Sequence, residues 1–219
     1  MPLDNQTASI IVDANSQPTM NTAKFDQFVK RHKIGYVLQK HAGELNQEQL
    51  DYCVKRSPSM AIEHAINLLT PTQRDFCLQE EPDTAFENLE KIEKHGYKLS
   101  PAEFDSCVRR SPAGALAYVA DRLNPKQFDF CLRRMPEEAL KHAAKKLSPM
   151  QFAFCVYSSP YTALEYVAKR LSPKQLAFCF EEYPDATLEY AADRLSRKQL
   201  AFCVEEYPWE TLLFAANLI

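Results

Sequence analysis

The chain has 219 residues, a net charge of −3 and 25% charged residues. It is long enough to bury a sizeable core, and it carries no global field of the kind that steers nucleic acid or an acidic membrane. Four glycines are too few for phosphate-cradling loops or a turn-rich β fold, and no apolar run approaches the ~18 residues of a membrane span.

Residues 1–21 are polar and aperiodic and are expected to form a flexible N-terminal tail, with Ile10, Ile11 and Val12 as a short apolar segment that could dock. They lack the basic start and apolar core of a secretory leader. Residues 22–44 read as a degenerate N-terminal capping repeat, with Phe25, Phe28, Val29, Val37, Leu38 and Ala42 in a weak version of the pattern that follows, which Leu45 opens.

From residue 45 to residue 219 the chain repeats. Cysteines at 53, 77, 107, 131, 155, 179 and 203 are 24 residues apart, except for a spacing of 30 between Cys77 and Cys107. Each is preceded eight residues earlier by leucine and followed five residues later by proline. A fixed period of this length marks a stacked-repeat architecture. Two helix starts are encoded in each repeat. Ser172 caps the first, Pro173 takes its first turn and Gln175 can reach back to complete a capping box. The same pattern recurs at Thr70/Gln73, Ser100/Glu103, Asn124/Gln127, Ser148/Gln151 and Ser196/Gln199. The second proline ends that helix, because the residue before proline is pushed out of the α region, and it opens the next helix. Helices of roughly 9–11 residues are too short to stand alone in water and must stack. The expected fold is all-α: a right-handed α-solenoid of about eight two-helix repeats with one 6-residue insertion. The insertion, within Leu89 to Leu99, predicts a longer second helix interrupted near Gly96 by a projecting turn.

The cysteines read as small apolar wedges. Stacked helices sit roughly 8–10 Å apart, too far for equivalent residues to form a disulfide, and no Cys/His cluster has zinc spacing. Unpaired thiols favour a reducing, cytoplasmic compartment. The histidines are scattered, and neither a nucleophile motif nor a paired-carboxylate site is apparent. No catalytic residue, metal site or cofactor is expected.

Function in such an array lies where repeats differ. Two residues before the cysteine stand Asp51, Asp75, Asp105 and Asp129, then Ala153, Ala177 and Ala201. The pairs Asp51–Lys55, Asp105–Arg109 and Asp129–Arg133 have i,i+4 acid-to-base spacing. A central basic stripe of Arg109, Arg110, Arg133 and Arg134, with Lys145 and Lys169, is an alternative contact for nucleic acid or an acidic partner. In the C-terminal half Glu181, Glu182, Glu205 and Glu206 sit in last turns, where the helix dipole disfavours acid. Tyr157, Tyr161, Tyr183, Tyr207 and Trp209 cluster near the inter-helix turns. Smooth alanines, uncompensated acids and an aromatic ridge predict a partner-binding surface. Leu213 replaces residues that are mostly charged in earlier repeats, and Leu218 replaces Arg122, Lys146, Arg170 and Arg194. Leu213, Phe214, Leu218 and Ile219 are therefore expected to be covered by a second copy through a two-fold contact.

The unit Leu-Ser-Pro-Lys-Gln-Leu-Ala-Phe-Cys, with Tyr-Pro-Asp-Ala-Thr-Leu-Glu-Tyr-Ala-Ala-Asp-Arg-Leu, resembles short α-helical repeats of uncharacterised type found in bacterial effector, phage and protist proteins. The resemblance covers the pattern of residues 45–219 and carries no catalytic residue. The aromatic–acidic ridge favours a protein-interaction scaffold or inhibitor, which includes an effector or anti-defence protein acting in a host cytosol.

Overall fold

The computed structural model describes residues 20–218, so the expected tail to residue 19 and Ile219 lie outside the described residues. Seventeen α-helices pack in a series, and no strand occurs among the described residues. In chain order they are α1 Thr22–Arg31, α2 Ile34–His41, α3 Gln47–Arg56, α4 Pro58–Ala65, α5 Pro71–Glu80, α6 Pro82–Glu87, α7 Leu89–Lys94, α8 Pro101–Arg110 and α9 Pro112–Tyr118. They continue as α10 Pro125–Arg134, α11 Pro136–His142, α12 Pro149–Ser158, α13 Pro160–Val167, α14 Pro173–Glu182, α15 Pro184–Ala191, α16 Arg197–Glu206 and α17 Pro208–Ala215.

The first helix of each repeat begins where the sequence places its cap. Ser172 Oγ accepts from the Gln175 backbone N–H at 3.3 Å, while Gln175 Oε1 accepts from the Ser172 N–H at 2.9 Å. The reciprocal pair recurs at all five other expected sites, and Asn46 with Gln49 adds a seventh. Each such box satisfies two of the N–H groups that an α-helix leaves without an internal partner. At the other end the linker N–H donates to the cysteine carbonyl, as Tyr183 does to Cys179 at 2.8 Å, and the following proline opens the next helix. The second helices are shorter than expected, at six to eight residues in α4, α6, α9, α11, α13, α15 and α17. Several finish in a 3₁₀ turn such as Ala168–Arg170, a common way to tighten the last carbonyls of a helix.

The helices fall into two compact units. One runs to Glu80 and includes Glu90–Tyr97; the other comprises Glu81–Leu89 and Lys98 onward. In the first, α2 packs on α4, and α4 on α5, around buried Val37, Leu38, Ile62 and Ile66. In the second, α9, α11, α13, α15 and α17 contact one another in turn, with α8 beside α10 and α12 beside α14. All seven cysteines are buried thiols with no exposed surface.

The insertion differs from expectation. Instead of one longer second helix, α6 stops at Asn88, whose side-chain amide donates to the Thr84 carbonyl at 3.0 Å, and a separate α7 follows. Leu89 and Ile92 are buried, and Gly96 takes φ +85°, a left-handed turn open to glycine at no steric cost. The Arg74 guanidinium stacks 4.7 Å from the Tyr97 ring, which holds the turn down instead of letting it project.

Candidate protein-interaction surface

Every residue of the expected aromatic–acidic ridge lies in the second unit. Tyr157 is in the last turn of α12, Tyr161 in the first turn of α13, Tyr183 in the α14–α15 linker, and Trp209 in the first turn of α17. The three tyrosines are 40–49% exposed and Trp209 is 80% exposed. Glu181, Glu182, Glu205 and Glu206 are exposed beside them, and no ion pair reaches any of the four among the described residues. Tyr207 is different. It is half-buried, packing against the Leu188–Cys203 core cluster, with its ring 6.3 Å from that of Phe202.

The ridge arises from a change in how neighbouring repeats are joined. Four residues after the cysteine and six after the preceding one, two earlier junctions use polar links. Ser111 Oγ donates to the Asp83 carboxylate, and Ser159 Oγ donates to Glu137 Oε2 at 3.4 Å. The same two positions in the next repeats hold Tyr161 and Tyr183, whose rings meet edge to face at 5.9 Å. Tyr190 joins them at 6.3 Å from Tyr161, and Tyr157 packs edge-on against Phe178 at 4.8 Å. These are favourable aromatic geometries that leave much of each ring accessible. A hydrogen bond with Tyr161, then burial, then a hydrogen bond with Glu189, hold the Tyr190 phenol above its ordinary range.

Tyr190 belongs to this group too, which its shared register with Tyr118 and Tyr166 does not signal. The first helices add an outer apolar stripe absent from the expected ridge: Met150, Phe154 and Phe202 are exposed, while Ala153 and Ala177 keep the same face smooth. The signal for it was present in the loss of aspartate two residues before the cysteine.

The four arginines of the basic stripe end α8 and α10, and its two lysines lie in 3₁₀ turns further along the chain. Arg109 pairs with Asp105 at 2.5 Å and Arg133 with Asp129 at 2.8 Å, as their spacing predicts. Asp105 is engaged by the neighbouring repeat as well, since Gln127 Nε2 donates to its Oδ1 at 3.2 Å; Gln127 and then Arg109 hold the Asp105 carboxyl below its ordinary value. Arg134 stacks 5.1 Å from the Phe130 ring, and Arg110 is exposed at the end of α8. Lys145 instead lines a separate groove of about 580 Å³ with Tyr118, Lys141, His142, Tyr166 and Arg170. Lys169 is exposed on the 3₁₀ turn after α13.

Leu213, Phe214 and Leu218 are exposed, Leu213 at 74%. The arginine that Leu218 replaces has a visible task two helices earlier: Arg194 donates to the Ala168 carbonyl and, at 2.6 Å, to that of Leu171. Leucine offers no such clip.

Among the described residues no helix is long and apolar enough to cross a membrane, and no three His, Cys, Asp or Glu side chains converge as metal ligands. Comparison with protein-family models, with curated proteins and with solved structures gives no match to this chain.

Proposed function

We propose that this chain is a non-catalytic protein–protein interaction module, a scaffold or inhibitor that engages a partner protein or complex. The reading takes the serial helix packing to be a right-handed α-solenoid of eight two-helix repeats, with residues 22–44 as its N-terminal cap. It places the protein in a reducing, cytoplasmic setting, or in a host cytosol if it acts as an effector or anti-defence protein. Seven buried thiols support that setting.

The observation that carries the reading is the exposed ridge of Tyr157, Tyr161, Tyr183 and Trp209 beside Glu181, Glu182, Glu205 and Glu206. Rigid aromatic side chains bury large areas at little entropic cost, so they dominate binding energy at protein interfaces. The acids select a partner with a basic face. The same module self-associates through Leu213, Phe214, Leu218 and Ile219. Affinity purification from the native source tests the partner reading. A partner retained by the wild type is lost on Tyr183→Ala with Trp209→Ala. Equal retention by both proteins removes the ridge as the binding site. Tyr207 is omitted from that pair because its ring is part of the packing.

A second reading, nucleic-acid binding, draws on the groove in which Lys141, Lys145 and Arg170 surround Tyr118 and Tyr166. Cations with accessible rings suit a phosphate backbone and stacked bases. A salt-dependent gel shift weakened by Lys145→Ala, or by Arg109→Ala with Arg133→Ala on the stripe, supports it. Absence of binding at low salt removes it.

A further inference from the structure

Repeats inside the second unit show which residues face their successor. Leu188, nine residues after Cys179, clusters with Leu200, Cys203 and Ala215 of the following helices, and Phe180, one residue after Cys179, packs on the same cluster. These two register positions are thus the ones a following repeat covers. Val156 and Leu164 hold them one repeat earlier and have no exposed surface. Val204 and Leu212 hold them on α16 and α17, and there they are 43% and 59% exposed. The α16–α17 face thus presents an exposed apolar layer at register positions that are buried in α12 and α13. Leu213 on α17 adds exposed apolar surface.

The charges on α16 indicate what fits that layer. The helix reads Arg-Lys-Gln-Leu-Ala-Phe-Cys-Val-Glu-Glu. Arg197 and Lys198 occupy its first turn and Glu205 and Glu206 its last, the opposite of what the helix dipole favours at both ends. All four side chains are exposed, and none has an ion-pair partner among the described residues. A second α16 laid antiparallel sets each basic end against an acidic end, and a two-fold axis makes both contacts at once.

We propose that the α16–α17 face docks a second copy of this chain, with the two α16 helices antiparallel across a two-fold axis and Val204 and Leu212 buried between them. The proposal rests on the self-association reading above and deepens it. The contact is the core register of the last repeat, not only the outward residues Leu213, Phe214 and Leu218.

Sedimentation equilibrium over micromolar concentrations tests it on the full chain. The wild type is expected at twice the 25.1 kDa chain mass. Glu205→Lys/Glu206→Lys and Arg197→Glu/Lys198→Glu each weaken the dimer by about tenfold or more, because like charges then meet across the interface. An equimolar mixture of the two variants regains it, since an all-basic α16 faces an all-acidic one. Both variants place favourable charges at the helix termini, so unchanged far-UV circular dichroism separates dissociation from unfolding. Leu212→Glu is likewise monomeric. A wild-type monomer at every concentration overturns both this proposal and self-association. A dimer that survives all three variants keeps self-association elsewhere and overturns this face. A ladder of larger species, or a mixture that stays monomeric, overturns the antiparallel two-fold.

Discussion

At Cys53, Cys107, Cys131, Cys155, Cys179 and Cys203 the cysteine carbonyl accepts the closing hydrogen bond of its helix, at 2.8–2.9 Å, from the residue before proline. Its side chain has to fit where the chain turns, and a thiol is small, apolar and needs no partner. Burial pushes the thiols of Cys53, Cys107, Cys131 and Cys179 from the ordinary 9.0 up to about 11, and that of Cys155 to about 12. Above pH 9.0 the unfolded chain releases thiol protons that the folded chain retains. The unfolded state then binds fewer protons, and stability falls as pH rises. The thiol contribution is complete below pH 9.0 and is lost progressively up to pH 11–12. Urea denaturation should show it. Cys131→Ala costs on the order of 1 kcal/mol at neutral pH through the lost atom and its cavity, but its stability declines less steeply than wild type between pH 9.0 and 11. Tyrosines and lysines titrate in both proteins, so the difference in slope isolates the thiol.

At the scale of elements, caps and linkers set where each helix begins, and the link between neighbouring repeats sets how closely second helices approach. The α8–α9 linker shows the constraint. Ser111 Oγ accepts from the Gly114 N–H at 3.1 Å and donates to Asp83, which leaves the carboxylate against the Gly114 backbone. A Cβ on Gly114 would overlap Asp83 Oδ1 and crowd Ser111 Oγ. Inside an ordinary helix, alanine for glycine gains about 1 kcal/mol. Here Gly114→Ala should destabilise by about 1 kcal/mol or more, because accommodating the methyl breaks a buried hydrogen bond. Combining it with Asp83→Ala, which removes the clash, should restore much of the loss in the same denaturation assay. The helix starts were legible in advance because serine or asparagine with glutamine three residues on acts within one turn. The Asp83–Ser111 link was not, since it joins residues 28 apart and depends on how two helices cross.

For the molecule as a whole, the 24-residue register told frame from variation, and that much could be read before any coordinates. It identified Tyr161, Tyr183 and Trp209, which the structure leaves exposed, and Leu213 and Leu218 at the last repeat. It did not reveal the exposure of Val204 and Leu212, because both are ordinary core residues by type. The break between α6 and α7 was hidden for a related reason, since an asparagine side chain bonding back to the main chain decides it locally. Serial packing has its own energetic consequence. In the second unit α9, α11, α13 and α15 each meet the second helix before and the one after, so a defect should spread by neighbour contact and then fade. Leu164 on α13 is fully buried, and Leu164→Ala should cost roughly 2–5 kcal/mol. Hydrogen exchange followed by mass spectrometry should show the largest acceleration in α13, a smaller one in α11 and α15, and little in α9 or α17. Uniform acceleration across all five helices would mean that the second unit opens as one cooperative block, and that neighbour contacts do not set its stability.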